Sequence, residues 1–213
     1  GPSGAGKSTL LALLAGYLPP TAGRVSVGGV DLTRIDPSAW RERLAWVAQE
    51  PGMINGTVGD NVALGRPGAS PTDIAAALRD AGADFDAAKP VGDEAEGLSA
   101  GERRRVALAR ALLRIRLGGA SLLLLDEPTA GLDAGAEAAA IDAVRASGAG
   151  ALIVTHRPAV RAAADRVVEW AGRDDGRRLV GEPVPAEKRD HPPGTTVGGR
   201  PDRSPNAGQA GDR

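Results

Sequence analysis

The first nine residues of the chain combine glycines, a lysine and two hydroxyl side chains, in the order Gly-Pro-Ser-Gly-Ala-Gly-Lys-Ser-Thr. This spacing fits G-x-x-x-x-G-K-[ST], in which glycines without a Cβ let backbone N–H groups surround a phosphate closely. In such a loop Lys7 reaches the β- and γ-phosphates, and Ser8 offers its hydroxyl to Mg²⁺. The apolar residues that follow predict a helix over 7–18, whose N-terminal end attracts anions. A glycine-rich turn before a buried helix is the structural alternative, and Gly-Lys-Ser ahead of a helix favours the phosphate site.

Two adjacent carboxylates follow a run of four leucines, residues 122–125. The run predicts a buried parallel strand, and α/β sheets place their ligands at the carboxyl ends of such strands. Asp126 is predicted to hold Mg²⁺ through water, and Glu127 to polarise the water that attacks the γ-phosphate. Solvated acids at a strand end are the alternative. The phosphate loop in the same chain favours the catalytic interpretation.

A third signal, Leu-Ser-Ala-Gly-Glu at 98–102, opens a predicted long helix that is rich in arginine. Ser99 with Glu102 three residues later forms a capping box, which satisfies the first N–H groups of many helices. The same helix start is also a candidate anion site, able to receive a phosphate from another subunit. The residues alone leave both interpretations open. The basic run 103–105 is interpreted as a solvated helix face without a function.

These signals lie on alternating strands and helices, which predict an α/β fold with a mostly parallel sheet. A predominantly helical segment over about 55–118 interrupts the alternation as a helical subdomain. Strands are predicted at 24–28, 44–48, 122–127, 151–155 and 166–170. Helices are predicted at 7–18, 57–64, 71–81, 99–117, 134–147 and 158–164.

The amino-acid composition argues against several classes of function. Lys and Arg number 26 against 27 Asp and Glu, so a general nucleic-acid or membrane-surface binder is not indicated. There is no cysteine, which excludes disulfides and thiolate chemistry. No apolar run approaches the roughly 20 residues that a membrane-spanning helix needs.

Residues 181–213 contain few apolar side chains and are predicted to form a disordered tail or linker. Because a phosphate loop normally follows a β-strand, we expect the chain to be part of a longer polypeptide.

The order of these motifs resembles the nucleotide-binding domain of ATP-binding cassette (ABC) proteins over residues 1–172, followed by a terminal strand or turn at 173–180. The resemblance implies a P-loop NTPase core with the ABC signature on the helical subdomain. It also implies individual roles. Nucleotide-binding residues would be Gly1, Ser3, Gly4, Gly6, Lys7, Ser8 and Thr9 of the Walker A loop, Gln49 of the Q-loop, Ser99 and Gly101 of the signature, and Asp133 of the D-loop. Catalytic residues would be Glu127 as base and His156 as the switch histidine, and the Mg²⁺ ligands would be Ser8, Gln49 and Asp126.

The resemblance further implies an ATPase with ATP and Mg²⁺ as cofactors, working as a homo- or heterodimer with a second such domain. It implies coupling to a transmembrane domain upstream on the same polypeptide, at the cytoplasmic face of a bacterial inner membrane, and no nucleic acid. Segments 55–62, 91–94 and 98–113 with Thr155-His156-Arg157-Pro158 are similar to exporter-type members, specifically the CydD-type subunit of the thiol-reductant exporter. That family exports cysteine or glutathione and supports cytochrome bd assembly. The alternatives are a soluble ABC ATPase acting on nucleic acid or the ribosome, and a catalytically inactive truncated fragment. In this family the aromatic residue that stacks on adenine lies upstream of Gly1.

Overall fold

The computed structural model describes residues 4–169 and the backbone of residues 183–185. Helices and strands alternate through most of this range. The helices are α1 (Lys7–Leu14), α2 (Pro37–Glu42), α3 (Val58–Ala63), α4 (Pro71–Asp80), α5 (Ala100–Gly118), α6 (Ala134–Ala146) and α7 (Pro158–Ala163). The strands are β1 (Ser26–Val27), β2 (Val30–Asp31), β3 (Leu44–Val47), β4 (Gly56–Thr57), β5 (Pro90–Val91), β6 (Leu122–Asp126), β7 (Gly150–Val154), β8 (Arg166–Val168) and β9 (Pro183–Pro185).

The central element is a parallel sheet with the strand order β3, β6, β7. Leu44 pairs with Leu122 in the first ladder, and Leu122 pairs with Gly150 in the second. The side chains of Leu123, Leu124 and Leu125 are fully buried, as expected for a parallel strand with both faces covered. The predicted α/β fold with a mostly parallel sheet is confirmed. Since the three strands run in the same direction, the residues after each of them meet at one edge.

Helices α3, α4 and α5 lie between β3 and β6 in the chain and pack on one another. Their apolar faces share one core cluster with β3 and β6, including the fully buried Val58, Val62 and Leu113. The two-residue strands β4 and β5 pair antiparallel within the same segment. The sequence predicts the helices here but misses these strands, because two residues are too few to produce an alternating pattern.

Several elements near the N-terminal end differ from the sequence prediction, among them β2, which the prediction lacks. Helix α1 ends at Leu14 instead of residue 18, and Gly16 has a φ of 72°, a left-handed conformation that ends the helix. Helix α2 has no counterpart in the prediction. It begins after Asp36, whose carboxylate accepts the Ala39 N–H, and its Trp40 donates an Nε1–H bond of 2.8 Å to the carbonyl of Leu14.

Strand β8 pairs antiparallel with β9. The three residues of β9 fall in the segment predicted to be a disordered tail or linker, and their register with β8 runs from Arg166 opposite Pro185 to Val168 opposite Pro183. The rest of that segment, and the strand or turn predicted at 173–180, lie outside the described residues. An apolar groove of about 740 Å³ lies between β7 and β8.

Candidate functional site

A cavity of about 560 Å³ opens at the carboxyl edge of the central sheet. The start of α1 forms one wall, and the residues that follow β3, β6 and β7 form the others. The cavity brings together most of the predicted site residues: Gly4, Gly6, Lys7, Ser8, Thr9, Gln49, Asp126, Glu127 and His156. Gly1 and Ser3 lie outside the described residues.

The phosphate loop enters α1 through two glycines with left-handed backbones. Gly4 has a φ of 74° and Gly6 a φ of 87°, and a Cβ at either position would meet open space. Glycine is therefore required by backbone conformation and not by crowding. Helix α1 has neither a side-chain cap on its first N–H groups nor an acidic residue in its first turn. Its positive N-terminal end therefore faces the cavity without a competing carboxylate of its own.

Ser8 and Asp126 meet on the floor of the cavity. The Ser8 hydroxyl donates a hydrogen bond of 2.6 Å to Oδ2 of Asp126, although the two residues are 118 positions apart in the chain. Asp126 is the last residue of β6 and is 4% exposed. The strand thus delivers a buried carboxylate to the first turn of α1, as the sequence predicts for two ligands of one metal ion.

Glu127 and His156 form the second pair in the cavity. His156 Nδ1 lies 2.8 Å from Oε1 of Glu127, and the imidazole is 72% exposed while the glutamate side chain is 12% exposed. The other carboxylate oxygen of Glu127, Oε2, is buried without a hydrogen-bond partner among the described residues. The Glu127 N–H donates to the carbonyl of Val154, the last residue of β7, which ties the two strand ends together. Glu127 therefore retains an acceptor oxygen available for a further proton donor.

Gln49 completes a set of oxygen donors. It follows β3, is exposed and lines the same cavity as Ser8 and Asp126. A hydroxyl, a carboxylate and an amide carbonyl are hard oxygen ligands that suit Mg²⁺, which in proteins keeps several waters and takes few carboxylates. Among the described residues no cluster of three or more histidine, cysteine, aspartate or glutamate side chains offers an alternative metal centre.

Sequence reasoning missed Arg104 and Ala130 as parts of the cavity wall. Arg104 Nη1 donates a hydrogen bond of 2.9 Å to the Ala130 carbonyl, and its Nε is buried. The neighbouring Arg105 has a buried Nε too and stacks over the ring of Phe85 at 5.7 Å. The interpretation of 103–105 as a solvated face is therefore wrong for these two arginines. Nothing in the local sequence distinguishes such a run from a solvated one, since its partners are distant in the chain.

Three predicted residues lie outside the cavity: Ser99, Gly101 and Asp133. Ser99 is the N-cap of α5, and its reciprocal bonds with Glu102 complete the capping box that the sequence predicts. Asp133 is the N-cap of α6, and the hydrogen bond that its carboxylate accepts from the Ala136 N–H lowers the pKa of that carboxyl. The start of α5 lies against the loop before α6. A Cβ built on Gly101 would lie 3.9 Å from the Gly131 carbonyl oxygen.

Comparisons with known proteins agree with this geometry. The family model described as ABC transporter matches residues 1–130. The chain is 45% identical over 177 residues to the mycobactin import ATP-binding/permease protein IrtB of Mycolicibacterium thermoresistibile, covering 79% of this chain and 30% of that protein. It is 41% identical over 187 residues to the glutathione/L-cysteine transport system ATP-binding/permease protein CydD of Escherichia coli, covering 82% and 30% respectively.

A solved structure of a bacterial Atm1-family ABC exporter with ATP bound superposes with a TM-score of 0.72 at 35% identity, covering 78% of this chain and 30% of that one. The chain spans about 30% of the length of each of these relatives. No helix among the described residues is long and apolar enough to cross a bilayer. Since the family model covers 130 of 213 residues, the chain belongs to the ABC transporter family and carries its ATP-binding domain.

Proposed function

We propose that this domain, over residues 1–172, binds ATP with Mg²⁺ and hydrolyses it to drive transport across a membrane. The observation that carries the proposal is that one cavity holds both side-chain pairs, Ser8 with Asp126 and Glu127 with His156. The first pair has the chemistry of a metal site. The second has the chemistry of a base and its partner.

Nucleotide binding is assigned to the loop and the first turn of α1. Backbone N–H groups around Gly4 and Gly6 and the Lys7 ammonium are suited to the phosphate oxygens, because charge-assisted hydrogen bonds at a helix N-terminus favour an anion. Gly1, Ser3 and Thr9 are proposed to belong to the same loop. Mg²⁺ would be held by Ser8, Asp126 and Gln49, and it would neutralise charge on the β- and γ-phosphate oxygens.

The chemical step is assigned to Glu127 and His156. A water oxygen attacks the γ-phosphorus, the bond from that phosphorus to the β–γ bridging oxygen breaks, and ADP and phosphate leave. Oε2 of Glu127 has no hydrogen-bond partner among the described residues, so it is suited to orient the water and accept its proton. His156 holds Oε1 and is exposed enough to donate from its other ring nitrogen to a γ-phosphate oxygen.

Assembly with a second ATP-binding domain gives a role to the residues outside the cavity. We propose that Ser99 and Gly101 close over ATP bound to the partner domain, with Asp133 at the interface. A transmembrane domain on the same polypeptide would place this dimer at the cytoplasmic face of a bacterial membrane. The reported curated relatives are ATP-binding/permease proteins, and this favours a membrane partner over a nucleic acid or the ribosome.

The transported substrate, or cargo, is a separate question from the hydrolysis of ATP. Thiol-reductant export of the CydD type is one candidate, supported by 41% identity to a glutathione/L-cysteine transport protein. The 45% identity to a mycobactin import protein supports a different cargo and direction equally well. Cargo is selected by membrane segments, so the ATP-binding domain does not distinguish between them.

The variant Glu127→Gln tests the chemical assignment. The amide keeps the size of the side chain but cannot accept the proton of water, so hydrolysis should fall by about 100-fold or more while ATP binding persists. Phosphate release and nucleotide binding measured on the same preparation separate the two effects. Glu42→Gln, at an exposed glutamate on α2, is the matched control and should hydrolyse ATP at the parent rate. If Glu127→Gln is as active as the parent protein, the base is wrongly assigned.

A further inference from the structure

A partly buried ionic network lies next to the Glu127–His156 pair in the chain, with Arg157 28% and Glu137 11% exposed at the side chain. Arg157 donates from Nε to Oε1 of Glu137 at 2.7 Å, and from Nη2 to the carbonyls of Leu132 at 2.7 Å and Thr129 at 3.3 Å. The Thr129 hydroxyl donates to the same Glu137 oxygen at 2.9 Å. Glu137 is 8% exposed, so its charge has little water to solvate it. The network therefore depends on every one of its members.

The network joins segments that carry the two site residues. Arg157 is the next residue after His156, and Thr129 is two residues after Glu127. Glu137 lies on α6, which begins immediately after the loop that Arg157 holds. One guanidinium thus fixes the turn after β7 and the loop after β6 relative to each other.

A second arginine holds the same loop from another side. Arg104 on α5 donates to the carbonyl of Ala130, between the two carbonyls that Arg157 binds. Three carbonyl oxygens in 129–132 are therefore bonded to arginines from different elements. Thr129 and Leu132 are 2% and 7% exposed, so their carbonyls need hydrogen-bond partners. Donors from two arginines distant in the chain also fix the loop relative to α5 and to the turn after β7. These three hydrogen bonds hold the loop 129–132 in one position.

We propose that Arg157, with Glu137 as its counter-ion, is a positioning residue for ATP hydrolysis: it sets the loop after Glu127 and the turn of His156 together, and so holds the Glu127–His156 contact. The proposal rests on the proposed function of Glu127 as base. Arg157 does not line the cavity and has no contact with nucleotide in this role. Arg157 affects hydrolysis only by setting the positions of Glu127 and His156.

Arg157→Lys tests this proposal, because lysine keeps the charge beside Glu137 but lacks the planar fork that binds both the carboxylate and the carbonyls. The turnover number kcat for ATP should fall about 10-fold or more while KM stays within about 2-fold, as misplacement of catalytic groups by a fraction of an ångström predicts. Arg161→Lys is the matched control. Its arginine lies one turn further along in α7 and pairs with Glu169 on the surface, so kcat should not change.

A double-mutant cycle with His156→Ala separates positioning from a structural role. Once His156 is absent there is no contact left to position, so adding Arg157→Lys should reduce kcat by less than about 2-fold. Full multiplication of the two single effects would overturn the proposal, as would a single variant with unchanged kcat. Thr129→Val supplies a milder change that keeps both charges paired, and it should lower kcat with unchanged KM. A parent protein that fails to hydrolyse ATP, or a fully active Glu127→Gln, would overturn the proposed function instead.

Discussion

The backbone of Glu127 lies in the left-handed region, with a φ of 50°. A non-glycine residue held there carries strain of about 1–3 kcal/mol and persists only where its surroundings fix it. Here its N–H bonds to Val154, its carboxylate meets His156, and Pro128 follows it in the chain. The bend directs the glutamate into the cavity immediately after Asp126 has been buried in the sheet. Two adjacent acids thereby acquire different surroundings and can perform different tasks.

Glu102 gives a pH-dependent prediction at the residue scale. The hydrogen bond from Lys89, at 2.5 Å, and the Ser99 N–H lower the pKa of the Glu102 carboxyl from its ordinary 4.5 to about 2. A depressed pKa in the folded state means that the stabilisation is complete above pH 4.5 and is lost as the pH falls from 4.5 towards 2. Glu102→Gln should therefore be less stable than the parent at pH 7, and the difference should shrink below pH 4.5.

Urea unfolding at pH 7, 4 and 3 measures this difference. Glutamine can still accept the Ser99 N–H in a capping box, so the variant removes the charge without removing the cap. A difference in unfolding free energy that stays constant over this pH range would show that the Lys89 contact does not stabilise the fold.

At the scale of elements, α5 connects the helical segment to the sheet. Four arginines among its 19 residues donate to backbone carbonyls elsewhere in the chain. The pairs are Arg104 with Ala130, Arg110 with Asn61 and Gly52, Arg114 with Leu44 and Arg41, and Arg116 with Asp73. Burial lowers the pKa of Arg110, yet arginine stays charged in proteins. A single helix thus holds the loop of the site, the segment after Gln49 and the start of β3 in one arrangement.

Removing one of these contacts should destabilise the fold measurably. Arg110→Met keeps much of the aliphatic volume but leaves the Asn61 carbonyl without its charged donor, which should lower the unfolding free energy by about 2 kcal/mol. Arg103→Met on the same helix is the control, because Arg103 makes no side-chain hydrogen bond with the described residues. Equal urea midpoints for the two variants would contradict the role given to Arg110.

Local sequence patterns predict the helices and strands that carry the site. They do not predict structural features that depend on contacts between residues far apart in the chain. The leucine run before Asp126 specifies a buried strand, and Ser99 with Glu102 specifies a helix start, because both signals are contained in a few consecutive residues. Helix α2 is only six residues long and lacks a periodic apolar face, although Asp36 followed by Pro37 is a signal that could have found it. Arg104 could not be recognised in this way, since its role depends on a carbonyl 26 residues away.

On the scale of the whole molecule, parallel strand direction assembles the site. Gln49 lies 78 positions before Glu127, and His156 lies 29 positions after it, yet each of the three follows a strand of the same sheet. The predicted ABC family membership is confirmed by the family match, and the predicted fold by the sheet and by the exporter superposition. The roles of the individual site residues stay predictions, which the variants above address.

Binding of Mg-ATP to the parent protein and to Lys7→Ala, measured by calorimetry, tests the central claim most directly. The account predicts that the parent binds and that the variant loses affinity by about 100-fold or more, because charge-assisted bonds to the phosphates are removed. Arg79→Ala removes one exposed positive charge on α4, away from the cavity, and should bind ATP like the parent. Equal affinity of the parent and Lys7→Ala for Mg-ATP would contradict the assignment of this loop and this cavity to the nucleotide.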